Sequence, residues 1–179
     1  MKKCIQLVFV IILMIISLFI LMPMKQALLF YERNSDEIAA YLPLQTGQTF
    51  DITFVHSIHL SDVVEKYEIK EDQTIKQYEI VFEQFGIGMP STVDDSEQFV
   101  YENGKYHIKN MNQVFDSMKI RNGKTVSHHR LTWRDHHGNT YTVPFNDYFE
   151  QGNWYTLKVE RISLLTSWKE VKIHERVQK

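Results

Sequence analysis

The chain opens on a basic Met1-Lys2-Lys3 and then runs from Cys4 to Met24 with only Gln6, Ser17 and Pro23 interrupting an apolar sequence. No other feature restricts the fold so strongly. About 20 apolar residues in a helix cross ~30 Å of hydrocarbon, so residues 4–24 are expected to be one membrane-spanning helix seated in the bilayer. Lysines before the run and mixed charge after it favour the N-terminus inside and the remainder outside the cytoplasm. A cleaved signal peptide has a shorter apolar core, ~7–15 residues, ending at a small-residue site. Leu21-Met22-Pro23-Met24-Lys25 offers no such site, and Cys4 precedes the run instead of following it, which argues against a lipoprotein.

Residues 1–34 are therefore read as anchor and juxtamembrane segment, with Lys25–Ala40 continuing the helix into a short connector that Pro43 closes. Residues 35–179 are long enough for one domain with its own core and too short for two. Cys4 is the only cysteine, so this domain holds neither a disulfide nor a cysteine-based zinc site. A net charge of −2 leaves no broad basic field, which removes nucleic acid from the expected partners.

Past the anchor the periodicity changes to two. Phe50, Ile52, Phe54 and Ile58 stand apart from Asp51, Thr53 and Ser57 as one face of a strand. In Val63–Ile69 the residues Val63, Glu65, Tyr67 and Ile69 share a face, and a third strand pattern runs from Thr74 to Phe85. Asn103-Gly104 and Asn122-Gly123 are tight-hairpin dipeptides, with His137-Gly138-Asn139 a weaker one. Trp154–Ile162 reads as a further strand, and Val114, Phe115 and Met118 at helical spacing suggest a short helix over Asn110–Met118. Short strands at intervals of ~8–12 residues indicate a mostly β domain, an antiparallel sandwich or a small barrel.

Among residues able to carry chemistry, His56 and Glu65 lie either side of a turn near Leu60-Ser61. Paired about that centre they face each other across the hairpin, an arrangement that fixes an imidazole tautomer and raises its basicity. Ser57 then points to the opposite face, away from the reach a nucleophile needs. Phe85-Gly86-Ile87-Gly88-Met89-Pro90 is a shaped loop at a strand end. It lacks the following helix that a phosphate cradle requires. His128-His129 and His136-His137 flank Leu131-Thr132-Trp133, but adjacent strand residues face opposite ways, so no metal and no other cofactor is assigned. Trp133, Tyr141, Phe145, Tyr148, Phe149, Trp154 and Tyr155 are read as core and rim.

Thr53-Phe54-Val55-His56-Ser57-Ile58, Val64-Glu65-Lys66-Tyr67-Glu68-Ile69 and Phe85-Gly86-Ile87-Gly88-Met89-Pro90, in that order, resemble the bacterial family catalogued as domain of unknown function 1850. The resemblance covers roughly residues 50–90 and carries over His56, Ser57, Glu65, Gly86, Gly88 and Pro90 as binding positions. Members are small, often membrane-anchored or exported, and frequently encoded beside TAXI-type TRAP transporters, which import organic acids or amino acids. The resemblance thus implies a non-catalytic accessory protein in the cell membrane, partnered with a transporter subunit or its solute-binding protein. An extracytoplasmic hydrolase or a small-anion-binding domain centred on His56 and Glu65 is the alternative.

Overall fold

A computed structural model describes residues 2–85, 89, 94 and 96–174, apart from the side chain of Cys4. Helix α1 (Lys2–Leu21) leads directly into β1 (Pro23–Glu32). The chain continues through β2 (Ile38–Leu42), β3 (Thr49–Val55), β4 (Asp62–Ile69), β5 (Ile75–Phe82), β6 (Gln98–Glu102) and β7 (Lys105–Phe115). Then follow β8 (Met118–Arg121), β9 (Arg130–Arg134), β10 (Thr140–Pro144), a 3-10 turn (Phe145–Asp147), β11 (Trp154–Ser163) and α2 (Leu164–Lys169).

The strands form two antiparallel sheets, a four-stranded one ordered β2-β1-β11-β8 and a seven-stranded one ordered β10-β9-β3-β4-β5-β7-β6. Phe30, Leu42 and Leu157 of the small sheet pack against Phe50, Ile52, Tyr67 and Leu131 of the large one. The domain is therefore a sandwich, held by burial of the alternate residues that strand periodicity turns inward. A second cluster of Val63, Ile80, Phe82, Ile108 and Met111 lies on the same inner face of the large sheet and takes no residue from the small sheet.

Two expected elements are corrected. Lys25–Ala40 is not a helix and connector: β1 occupies its first half and sits inside the small sheet between β2 and β11, and β2 begins before its end. Leu28 and Phe30 face the main core, whereas Ala27 and Leu29 face a third cluster with Tyr41 and Ile162. A strand buried on both faces reads as a continuous apolar run and shows no alternation. Asn110–Met118 is not a helix either. β7 bulges opposite the Gln77–Glu79 step of β5, with Asn110 in left-handed backbone (φ 60°), and the chain then crosses to the other sheet at Met118. The bulge breaks the period of two and spaces the apolar residues irregularly.

Asn103 (φ 53°) and Gly104 (φ 78°) close the β6–β7 hairpin in the mirror-image turn that this dipeptide favours. Asn122-Gly123 closes no hairpin. Asn122 is buried, and its amide donates to Asn146 Oδ1 and to the Phe149 carbonyl, both at 2.9 Å. Of the aromatic residues read as core and rim, Phe145, Phe149 and Tyr155 are buried, and Trp154 is exposed.

Taken over the described side chains alone, no helix is long and apolar enough to cross a membrane. The apolar side chains of α1 from Ile5 to Leu21 stand exposed, with Ile20 half-buried.

Candidate functional site

The two ends of the sandwich carry different chemistry. β1 starts beside the end of β11, Pro23 opposite Ser163, so this end adjoins α1. Met24, Gln26, Thr46, Gln48 and Trp133 border a common groove there, which places the Thr49 start of β3 at the same end. Seven residues of β3, about 20 Å at strand rise, then carry the chain to the opposite, distal end, where His56 begins the β3–β4 turn.

That turn is built by local hydrogen bonds. His56 N donates to the Ser61 carbonyl and Leu60 N to the His56 carbonyl, each at 2.9 Å, with Leu60 in left-handed backbone at φ 53°. The amides of Ile58 and His59 both point at His56 Nδ1 from 3.4 Å, which favours the tautomer with hydrogen on Nε2. The His56 and His59 rings stack at 5.0 Å. Ser57, Ile58 and Leu60 face solvent.

The pairing expected between His56 and Glu65 does not form. Ile52 stands opposite Glu65, Phe54 opposite Val63 and Val55 opposite Asp62, so the hairpin centre lies two residues nearer His56 than supposed. His56 and Glu65 are thereby separated by roughly 13 Å along the strands. Ser57 sits on the exposed turn, so the backbone does not assemble His56, Ser57 and Glu65 into a hydrolytic unit.

Glu65 points inward, between the main core and the second cluster. Its Oε2 accepts the Tyr67 hydroxyl at 2.8 Å, and Tyr67 stacks on Phe50 at 5.1 Å. Burial pushes the Glu65 carboxyl up, and the Tyr67 hydrogen bond only partly offsets this. Burial, the Glu65 charge and the same hydrogen bond drive the Tyr67 phenol well above its usual range.

Residues given no role from sequence, His129 of the His128-His129 pair among them, complete the distal end. The Ser127 carbonyl accepts Val55 N at 2.7 Å, drawing the β8–β9 loop against β3. His129 lies between Phe54 and Phe145, with ring centroids at 5.6 and 5.4 Å, and burial lowers it to about 4 from an ordinary 6.5, so it is neutral at pH 7. His59 Nε2, Ser127 Oγ and His129 Nδ1 are buried without a hydrogen-bond partner among the described residues. Phe82, Phe85, Phe99, Tyr101 and Tyr106 form a contiguous aromatic cluster on the adjoining strands, with Phe85, Phe99 and Tyr101 exposed. Gly86, Gly88 and Pro90 lie outside the described residues; Met89 packs against the second cluster.

The other histidine pair is elsewhere. His136 and His137 occupy the β9–β10 turn, at the far end of β9 from His129. Asp135 there accepts hydrogen bonds from Asn139, His137 N and the Tyr141 hydroxyl, and the Asn139 side chain foremost holds its carboxyl down at about 2. Among the described residues no three His, Cys, Asp or Glu side chains group as a metal site.

Fold and site define a two-sheet antiparallel β-domain carried behind an apolar helix, with a histidine- and aromatic-rich end far from that helix. The family model described as Domain of unknown function (DUF1850) matches residues 50–140, just over half of the chain, and the chain belongs to this family. No curated protein and no solved structure matches it.

Proposed function

We propose that this is a membrane-tethered accessory protein whose extracytoplasmic domain recognises a TAXI-type TRAP transporter, through a subunit or its solute-binding protein. The observation that carries the reading is the polarity of the domain. The apolar helix leaves from one end, while exposed Ile58, Leu60, Phe85, Phe99 and Tyr101 gather at the other. A tether at one end and an apolar recognition surface at the other suit a protein that presents itself to a membrane partner.

Support for the tether is physical. The 20 residues of α1 rise about 30 Å as a helix, the thickness of bilayer hydrocarbon. With Cys4 included, Cys4–Leu21 contains no charged residue. The transporter assignment follows from the family resemblance in His56-Ser57, Glu65 and the Gly86–Pro90 loop.

The test is affinity capture from native membranes, comparing wild type with an Ile58→Glu, Leu60→Gly double variant. Glycine suits the left-handed backbone at Leu60, so the variant keeps its fold. Co-purification of a transporter component with wild type and its loss in the variant is the expected result. No transporter component in either, together with unchanged solute uptake on gene deletion, would overturn the reading.

A second reading, binding of a small anion at the distal end, is favoured by the three buried atoms of His59, Ser127 and His129 that have no hydrogen-bond partner among the described residues. It requires thermal stabilisation by small carboxylates that His56→Ala abolishes.

A further inference from the structure

We propose that the α1 end of the sandwich is itself a docking face for anionic phospholipid, with α2 lying among the headgroups and the groove beside it holding lipid phosphate. The proposal rests on the tethering reading for its bilayer but on different residues for its chemistry.

The first observation is α2. Ser163 caps this helix, its Oγ accepting Thr166 N at 3.0 Å, and Tyr41 ties it to the small sheet by donating its hydroxyl to the Ser167 carbonyl at 2.8 Å. The segment after α2 is fastened as well, with Tyr41 N bonded to the Val171 carbonyl and Ile173 N to the Tyr41 carbonyl. On this fixed helix Trp168 is 70% exposed. Leu165 and Val171 are exposed beside it, and so are Met22 and Met24 where α1 meets β1. α2 also contacts α1. An indole held in water by a rigid support, next to an apolar helix end, has the placement of an interfacial tryptophan, apolar body inward and N–H toward headgroups.

The second observation is charge. A groove of about 800 Å³ crosses this end, bordered by Lys25, Arg134, Arg161 and Lys172. None of the four joins an ion pair among the described residues. The one carboxylate on the rim, Asp135, is occupied by its hydrogen bonds to Asn139, His137 and Tyr141, and Arg134 lies within electrostatic reach of Asp51. Guanidinium and ammonium groups that form no ion pair among the described residues, on the same end of the domain as α2, complement a layer of phosphates. Each such cation near an anionic surface favours association about fivefold.

The full chain is reconstituted into phosphatidylcholine vesicles with and without phosphatidylglycerol, and tryptophan quenching by lipid spin-labelled near the headgroup is read. Strong quenching with phosphatidylglycerol is expected, falling severalfold in pure phosphatidylcholine and in an Arg161→Gln, Lys172→Gln variant, and disappearing in Trp168→Phe. Protein that resists alkaline carbonate extraction yet shows no Trp168 quenching overturns the docking face and leaves the tether standing. If carbonate strips the protein, the tether fails, and the face is judged by rebinding to phosphatidylglycerol vesicles: rebinding that the double variant loses supports it, and no rebinding overturns it. A saturable thermal shift with inorganic phosphate in neutral detergent, without any effect of phosphatidylglycerol, overturns the lipid assignment in favour of a soluble phosphate ligand.

Discussion

Tyr67 donates its hydroxyl to Glu65 Oε2 at 2.8 Å across two positions of β4, on the inner face of the seven-stranded sheet. Among the described residues no cation shares this bond. The carboxyl that the family resemblance marks is therefore held inside the sandwich by a phenol, and its charge state is set chiefly by burial. Replacing Tyr67 by Phe removes the donor and leaves a buried acceptor. A loss of about 1–3 kcal/mol in urea unfolding at pH 7 is expected, larger than that of Tyr67→Phe in a background already carrying Glu65→Leu.

The pH dependence of Glu65 has a definite sign. A carboxyl raised in the folded state binds its proton more tightly there than in the unfolded chain. Its contribution to stability is complete below the ordinary value of 4.5 and is lost as pH rises through the raised value. Glu65→Gln keeps an acceptor for Tyr67 without the charge. It should match or exceed wild-type stability at pH 7 and flatten this part of the profile in chemical denaturation; a less stable variant at pH 7 would show that Glu65 is stabilising as an anion.

His129 acts in the opposite direction. Its folded-state value is about 4 against an ordinary 6.5, so the unfolded chain takes up the proton first. Stability from this residue is full above pH 6.5 and falls as pH drops toward 4. His129→Phe retains a ring between Phe54 and Phe145 and should remove most of this acid sensitivity. An NMR titration placing the wild-type imidazole near 6.5 would contradict the burial argument.

Gly123 is a steric requirement of the distal end. A Cβ added there runs into Ser127 Oγ and Cβ and touches His129 Cε1. Gly123→Ala should displace Ser127, lengthen the Val55 N to Ser127 carbonyl bond, and cost about 1–3 kcal/mol. Amide exchange at Val55 should accelerate, while exchange in β11 keeps its wild-type order.

Truncation tests where the domain begins. Removal of residues 1–22 spares β1 and should leave a cooperatively folding protein. Removal of residues 1–34 deletes a strand paired on both sides, along with Leu28 and Phe30 from the core, and should abolish cooperative unfolding in circular dichroism. Losing Phe30 alone is worth about 3–5 kcal/mol, so no small domain absorbs loss of the whole strand.

Much of the fold was legible in local pattern. β3, β4, β5 and β11 fall where period-two alternation placed strands, Glu65 and Tyr67 share the face assigned to them, and Asn103-Gly104 makes its hairpin. These features depend on residues next to one another or on one face wetted and one buried, which composition records directly. The sequence also determined the apolar run of α1, the lack of an intrachain disulfide in a chain with one cysteine, and the identity of the residues around His56 and Glu65.

Tertiary structure alone decided the rest. β1 hides beside α1 because both its faces are covered, which erases the alternation by which a strand is recognised. The β3–β4 register depends on where the chain reverses, and the left-handed residue at Leu60 moved the centre by two positions, separating His56 from Glu65. His129 and Ser127 join the distal end through contacts with β3 more than 70 positions earlier in the chain, distances over which local sequence carries no information. Local backbone preference sets what each segment is; only burial, which is a property of the whole, sets which segments meet.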